Sequence, residues 1–418
     1  MRAFSTLLFV LFALSANAAD GTLGTVSVQK GNNVSVNGEA PLSLTLDGKD
    51  HQSCQFLSKR APDESHEFTW KEVTTTRGGE LAEMLGDQLR SIDSLVVKGY
   101  VNDKDFHAMW DASLYGYLSV INLKNAVLEN NAVPDTAFFH GNEQYEGSSH
   151  EIFYYIGLRK IILPEGLEKI GEGAFYQASA LRQVNFPSTL RYIGDFAFNA
   201  TKLEMNQLVI PEGVEEINQY AFAFCRKLKA QVTLPSTIKK IGEWAFYGCP
   251  ITSINLPEGL ESLGSLAFWD CDLREVSIPS SCHEFNEGWQ FGFNRNLEKM
   301  HLPEGMTEIP DHFAVDCFRL REVNFPHTLK HIGEKAFSLC ISLKNVDLPL
   351  GMQSLGEEAF SELEALEQIV FPASMKSLGK NSCSYWKNIK RIYCAAIEPP
   401  VCDPTDGGVF SGFDFPDG

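Results

Sequence analysis

Positive charge is in short supply in this sequence. Thirty-five lysines and arginines face 54 aspartates and glutamates over 418 residues, a formal net charge of −19. Nucleic acid and anionic membrane surfaces are recognised through clustered Lys/Arg, so neither is expected as a partner. Long apolar runs are scarce as well: past the N-terminus nothing approaches the roughly 18 apolar residues of a membrane span. There is no glycine-rich phosphate loop, no EF-hand-like acidic spacing, and no histidine recurring in register beside the cysteines. Nucleotide, calcium and zinc chemistry therefore lack their sequence signatures. Cys282 and His283 are adjacent, but on a strand-like stretch they face opposite ways and make a poor nucleophile–base pair. No catalytic residue, metal or cofactor is expected.

The first residues read as an export address. Arg2 gives a short basic start, Leu7–Leu14 is almost unbroken apolar sequence, and Ala16-Asn17-Ala18 is a small-x-small cleavage site. Residues 1–18 are thus expected to be a signal peptide. The first cysteine is Cys54, so none near the cleavage site could carry a lipid.

At 418 residues the chain exceeds one ordinary core, which stops growing near 250–300 residues. It must divide or stack. Prolines at 164, 187, 211, 235, 257, 279, 303, 326, 349 and 372 recur at intervals of 22 to 24, the mark of a solenoid. Each is preceded by an apolar residue such as Leu163, Phe186, Ile210 or Leu234. Six places after it stand Ile170, Ile193, Ile217, Ile241, Leu263, Phe285, Ile309, Ile332, Leu355 and Leu378. Eleven places after it stand Phe175, Phe198, Phe222, Phe246, Phe268, Phe337 and Phe360, usually preceded by Ala. Segments such as Leu181–Phe186 alternate apolar and polar residues, a half-buried strand that the proline ends. A second short extended piece follows, then Gly, Asn or Pro at the seventh place and one helical turn bearing Ala-Phe. No unit can bury its apolar edge alone, so neighbours stack with strands about 4.8 Å apart. Phe222 and Phe246 should then lie one above the other.

The pattern Leu-x-x-Ile-x-Leu-Pro-x-x-Leu-x-x-Ile-Gly-x-x-Ala-Phe-x-x-Cys, best seen in Leu320–Cys340, closely resembles the BspA-like bacterial leucine-rich repeats, over roughly Leu158–Cys394. The resemblance implies an α/β solenoid, a leucine-rich repeat right-handed superhelix with short parallel strands, single helical turns and an N-terminal cap. It also implies a secreted or cell-surface, non-catalytic protein binding a protein or glycan, with host matrix or other cell surfaces as partners. On this reading residues 19–157 are the cap with an insertion, and 158–394 are ten repeats plus a closing strand. Residues 395–418 are a C-terminal tail, at a point where members of that family commonly continue into a further strand or another domain. Within the cap, Ile92–Val97 and Leu118–Leu123 read as two divergent rungs, Val133–Phe138 as a stray helical turn and Gly79–Leu89 as a capping helix. One repeat departs from the pattern, with Phe313-Ala314 in inverted order.

Other features go beyond the family. Cys225, Cys249, Cys271, Cys317 and Cys340 share the fourteenth place, held elsewhere by Ala178, Thr201, Phe293, Leu363 and Trp386. With Cys282, Cys383 and Cys394 also in core slots, eight of ten cysteines read as small buried hydrophobes with free thiols. Cys54 and Cys402 fall outside. At the second place glycine alternates with a hydroxyl (Gly213, Thr237, Gly259, Ser281), so the sequence unit is two rungs. At the fourth place Glu168, Arg191, Glu215, Lys239 and Glu261 alternate in sign, which predicts an ionic ladder.

Two surfaces could dock a partner. One strand face is rich in amides and hydroxyls, including Gln183, Asn185, Thr233, Asn255, Ser277, His301 and Asn324. It suits a polar extended ligand, or is simply solvated. At the ninth place consecutive rungs carry Phe196, Tyr220 and Trp244, with Tyr247 and Trp269 nearby, while later rungs place His312, Lys335, Glu358 and Asn381 there. That aromatic edge marks an interaction site or packs against the loop His140–Gly157. A passive spacer or surface-coat component with no dedicated ligand is the alternative to a binding protein.

Overall fold

The computed structural model describes residues 66–139, 156–402 and 408–412, together with the backbone of strands Gly24–Gln29, Asn33–Gly38, Gln55–Leu57 and Ile152–Tyr154. The signal peptide, Cys54, most of the 140–157 loop and the acidic residues Asp403, Asp406, Asp414 and Asp417 lie outside the described residues.

The chain forms two compact units. The first gathers the residues up to Pro187 with Ala197–Leu203, and the second takes Ser188–Phe196 and everything from Glu204 onward.

In the first unit five parallel strands run side by side in the order Gln183–Val184, Lys160–Ile162, Val120–Leu128, Ser94–Val101 and Trp70–Thr75. Ser94–Val101 and Val120–Leu128 overlap the two divergent rungs read at Ile92–Val97 and Leu118–Leu123, each strand starting two residues later and running on further. Trp70–Thr75 adds a rung that the proline rule could not find, because no proline ends it. A helix, Asp103–Tyr115, replaces the short Ala-Phe segment of one rung. Asn102 caps it by accepting the Lys104 N–H at 3.1 Å, while the Asp105 carboxylate accepts the Asn102 N–H at 3.0 Å. Phe106 on this helix meets Phe138 edge-on at 5.9 Å.

The Val133–Phe138 segment is not a stray helical turn. Ala132–Val133 pairs in parallel with Lys169–Ile170, and the Thr136 and Phe138 N–H groups donate to Glu172 and Ala174 carbonyls. It is the second half of a full rung begun by Val120–Leu128.

In the second unit each turn carries up to two short strands. Gln207–Val209, Gln231–Thr233 and Ser253–Asn255 pair in parallel, as do Glu275–Ser277, Lys299–His301 and Glu322–Asn324. Past the proline a second row of two-residue strands pairs likewise, for example Glu216–Ile217 with Lys240–Ile241. Core phenylalanines stack turn upon turn: Phe222–Phe246 centroids are 5.3 Å apart with rings within 3° of parallel, and Phe246–Phe268 are 5.6 Å apart. All three rings are fully buried.

The Ala-Phe segment is not helical, which corrects the expectation of single helical turns. A helix sends each N–H to its own carbonyl four residues back. Here alternate N–H groups leave the turn altogether: Tyr220, Phe222 and Phe224 donate to Glu243, Ala245 and Tyr247 of the next. The intervening Ala221, Ala223 and Cys225 bond three residues back within their own turn. The ninth and thirteenth places pay for this with positive φ, held by Tyr220 (55°), Trp244 (58°), Ala200 (59°) and Glu362 (61°) among others. An L-residue in that conformation costs about 1–2 kcal/mol. Ala200→Gly is therefore expected to stabilise the protein by roughly 0.5–1 kcal/mol after glycine's own entropy cost. A urea midpoint that fell would refute the strain argument.

The segment read as a tail contributes to the solenoid. Val401–Cys402 pairs with Ser377–Leu378, and the carbonyls of Gly408, Val409 and Ser411 accept the outgoing N–H groups of Asn381, Cys383 and Tyr385. Val409 is buried.

Hydroxyls explain the two-rung period. Thr237 Oγ1 accepts the Gly213 N–H at 2.9 Å and donates to the Val214 carbonyl at 2.9 Å. Ser281 does the same for Gly259 and Leu260, and Thr328 for Gly305 and Met306. The Gly213, Gly259 and Gly305 turns are thus each clamped by the hydroxyl turn that follows. The ionic ladder is largely unrealised. Of the fourth-place charges in the second unit only Lys239–Glu261 closes, at 3.3 Å, whereas Arg191 Nη1 goes to the backbone carbonyls of Ser188, Leu190 and Glu212. Rung-to-rung pairs form instead at neighbouring places, such as Lys240–Glu216 at 2.6 Å and Lys299–Glu322 at 3.3 Å.

Candidate ligand-binding surfaces

The polar strand face sorts into committed and free side chains. Asn185 Oδ1 accepts the Leu163 N–H at 2.7 Å and its Nδ2 donates to the Leu163 carbonyl at 3.0 Å. Asn324 does the same for Leu302, at 2.8 and 3.0 Å, and Asn255 Oδ1 accepts the Leu234 N–H at 3.1 Å. Where no asparagine follows, a backbone carbonyl takes that N–H, as Thr233 does for Ile210 and His301 for Ile278. These asparagines stand in for a missing ladder bond, so their amides are engaged by the preceding turn. His301 Nε2 lies 3.2 Å from Glu275 Oε1. Gln183 remains exposed in the first unit, and Gln207, Gln231, Thr233, Ser253 and Ser277 in the second. Gln207, Gln231 and Ser253 are in direct register, as are Val209, Thr233 and Asn255. Asn324→Ala is expected to cost about 1–3 kcal/mol, since two backbone groups of Leu302 lose their partner. An unchanged denaturation midpoint would return Asn324 to the pool of ligand-facing candidates.

The aromatic edge is assembled in the second unit. Phe196 stacks on Tyr220 with centroids 4.7 Å apart and rings 7° from parallel, and Tyr220 stacks on Trp244 at 5.3 Å. Phe196 is 37% exposed, Tyr220 and Trp244 half-buried. Tyr247 is brought against Trp244 at 4.4 Å but is only 7% exposed, and burial followed by the nearby Asp270 charge pushes its phenol up to about 12. It supports the edge from beneath. Trp269 joins a second cluster, 5.1 Å from Trp289 and 4.5 Å from Phe293, and Trp289 stacks on His312 at 3.6 Å. Burial lowers the His312 pKa, keeping the ring neutral against the indole. Arg226 and Arg295 guanidiniums sit 5.5 and 5.6 Å from the Phe224 and Phe293 ring centroids.

Sequence reasoning missed Trp289 and misplaced Phe293, counting it as a fourteenth-place residue. The Pro279 turn is one residue longer, so Trp289 occupies the tenth place by counting but the ninth by hydrogen bonding, with its N–H on the Asp311 carbonyl and φ of 67°. The extra residue was visible in the spacing from Pro279 to Phe291.

That shift also redefines the cysteine slot. Its occupant in the Pro279 turn is Asn294, not Phe293, and Asn294 Nδ2 donates to the Phe268 carbonyl at 2.7 Å. Cys249 Sγ lies 2.9 Å from the Phe222 carbonyl, Cys271 3.3 Å from Phe246, Cys340 3.3 Å from Ala314, and Trp386 Nε1 donates to Phe360 at 2.6 Å. The fourteenth place is therefore a buried donor position as well as an apolar one. Among the described residues all nine cysteines are free thiols, seven buried and two exposed: Cys402, and Cys394, which lies not in the expected core slot but on the fully exposed strand Arg391–Cys394. Burial pushes Cys282 and Cys317 up to about 12, and Cys249, Cys271, Cys340 and Cys383 upward too, so these sulfurs stay protonated and unreactive. Alkylation of the native protein should label Cys394 and Cys402 and, within residues 66–402, only those; labelling of Cys249 before denaturation would contradict the packing.

Cys282 is buried while His283 is exposed, its Nδ1 2.6 Å from the Ser281 carbonyl, so the two do not converge. No group of three His, Cys, Asp or Glu among the described residues is placed to hold a metal ion. No helix among them is long and apolar enough to cross a membrane.

A family model described as BspA type Leucine rich repeat region, with 6 copies, matches residues 148–231, 229–338 and 312–397. A leucine-rich repeat protein from Bacteroides ovatus is 20% identical in sequence and has a TM-score of 0.51, over 88% of this chain and 92% of its own. A leucine rich cell surface protein from Faecalibacterium prausnitzii is 18% identical over 86% of this chain and 96% of its own, with a TM-score of 0.37. The pneumococcal vaccine antigen PcpA is 16% identical over 90% and 89%, with a TM-score of 0.36. No curated protein matches the chain. The solenoid of parallel strands and the family match over most of its turns agree: the chain belongs to the BspA-type leucine-rich repeat family.

Proposed function

We propose that this is an exported, cell-surface leucine-rich repeat protein that binds a macromolecular partner, protein or glycan, without catalysing a reaction. The observation that carries this reading is the aromatic edge: Phe196, Tyr220 and Trp244 form a continuous stack at positive-φ positions while still presenting ring surface to solvent. Aromatic rings with polar tips are what protein and carbohydrate partners use as anchors. The free row Gln207, Gln231 and Ser253 offers hydrogen bonds to a polar, extended partner. Residues 1–18 would direct export, and residues 19–157 would serve as the cap covering the first apolar edge. The coil is taken as right-handed, as parallel crossovers nearly always are. Host matrix and other cell surfaces are the partners the family suggests.

The test is a glycan and matrix-protein array probed with residues 19–418, alongside Trp244→Ala and Trp269→Ala. Binding that is lost in the variants, with an unchanged unfolding transition, supports the edge. Parent-like binding by both variants would remove it, and binding to nothing on the array would favour a passive spacer.

A further inference from the structure

The second row of short strands is interrupted once. It runs from Tyr192–Ile193 to Glu284–Phe285 and resumes from Glu308–Ile309 to Val401–Cys402, but Glu284–Phe285 and Glu308–Ile309 do not pair. On either side of this gap the same two turns stay joined. Glu275–Ser277 pairs with Lys299–His301, and the N–H groups of Trp289, Phe291 and Phe293 reach Asp311, Phe313 and Val315 carbonyls at 2.8–3.0 Å. The opening is a slot between two turns that are otherwise joined.

Three local causes coincide there. Pro310 stands at the seventh place, where Gly242, Gly264, Gly333, Gly356 and Gly379 each donate an N–H to the preceding turn, and proline has none to give. The extra residue of the Pro279 turn, around Glu287 and Gly288, breaks the register. Finally, successive fifth-place partners along the row are Glu216↔Lys240, Lys240↔Ser262, Ser262↔Glu284, Glu308↔His331 and His331↔Ser354. Closing the gap would set Glu284 against Glu308, two like charges directly opposite.

The slot keeps unspent bonding capacity. The carbonyls of His283 and Phe285 on one lip, and the N–H groups of Thr307 and Glu308 on the other, have no hydrogen-bond partner among the described residues. Neither the Glu284 nor the Glu308 carboxylate has an ion-pair partner among them. The two buried side-chain polar atoms left unpaired among the described residues, Gln290 Oε1 and His312 Nδ1, belong to these same two turns. Between the lips lies a cleft of about 470 Å³, whose lining includes Cys282, Phe285, Met306 and Glu308. That volume is within the roughly 300–1,000 Å³ of ligand pockets.

We propose that the slot binds a short extended peptide segment with a central lysine or arginine, inserted as the missing strand. Its N–H groups would bond to the His283 and Phe285 carbonyls, and its carbonyls to the Thr307 and Glu308 N–H groups, the polarity of a parallel strand. Its basic side chain points outward between Glu284 and Glu308, as Lys240 stands 2.6 Å from Glu216 two turns earlier. Its flanking residues point inward, toward Phe285 and Met306, and are therefore apolar. The site is separate from the aromatic edge and the free polar row.

The probe is the pentapeptide acetyl-Thr-Val-Lys-Val-Thr-amide, titrated into the full chain by calorimetry, with amide exchange followed in parallel. Saturable binding with new protection at Thr307 and Glu308 is expected, weakened about tenfold or more by Glu284→Gln/Glu308→Gln and by replacing the peptide's lysine with glutamate. Glu308→Lys should close the slot against Glu284, abolishing binding while raising the unfolding midpoint. Trp244→Ala should leave peptide binding unchanged, which separates this site from the one proposed above. Equal affinity for the glutamate peptide, lysine amide binding as tightly as the pentapeptide, or protection elsewhere than residues 307–308 would each overturn the proposal.

Discussion

Phe246→Ala is expected to cost about 3–5 kcal/mol and to unfasten the second unit at one turn. The ring is fully buried and stacked on both sides, by Phe222 at 5.3 Å and Phe268 at 5.6 Å. Its removal leaves a void bounded above and below by rings whose own turns are pinned by backbone bonds: the Phe222 N–H sits on the Ala245 carbonyl and the Phe246 N–H on the Ala267 carbonyl. Collapse into the void would have to stretch those bonds, so the cavity stays and its full cost is felt. In a stacked array, stability is a sum of turns and interfaces, and the damage should be local. Amide exchange should accelerate in the Pro211, Pro235 and Pro257 turns and stay near parental beyond Phe337. A uniform acceleration would mean the unit unfolds as one block. A loss below 1 kcal/mol would mean the ring stack contributes little.

The legible and illegible parts of this fold divide on physical lines. Positions that face the shared core were legible, because the same buried slot demands the same apolar residue in every turn. Ile217 and Ile241 pair in register as their sixth-place spacing implies, and Phe222 lies over Phe246. Positions set by hydrogen bonding to the next turn were not. Nothing in an Ala-Phe pair announces that its N–H groups leave the turn, and positive φ at the ninth and thirteenth places was invisible because most residues bearing it there have side chains, among them Phe196, Tyr220, Trp244, Leu266, Asp270 and Lys335, with glycine at those places only at Gly173 and Gly248. The asparagines of the polar face looked free because only the structure shows Leu163 and Leu302 turning to them. Trp289 was hidden by counting from Pro279 through a one-residue insertion. The earliest rungs, with no proline to mark them, could be read only in part.

The seventh-place glycines tell the same story from the side of exclusion, and Gly264→Ala is the sharper test. A β-carbon there would stand 2.4 Å from the Glu243 nitrogen and 2.5 Å from the Gly242 carbonyl carbon, and backbone so tightly laddered cannot step aside. Gly264 also has no positive φ, so the requirement is room rather than backbone freedom. Gly259, five residues earlier, is the converse: φ is +108°, yet a β-carbon would meet nothing nearer than 3.7 Å. Gly259→Ala should therefore cost only the conformational strain, about 1–2 kcal/mol, whereas Gly264→Ala should cost about 3 kcal/mol or more by forcing two turns apart. The exceptions at this place fit the rule. Asn218 uses its amide to donate to the Ile193 carbonyl at 2.6 Å, and Pro310 occurs where the row of strands is already open. Urea unfolding of both variants decides the matter: equal losses would show that conformation, not contact, selects glycine in this solenoid. A larger loss at Gly264, with faster amide exchange at Gly264 and Ser262, would place the selection in the spacing between turns.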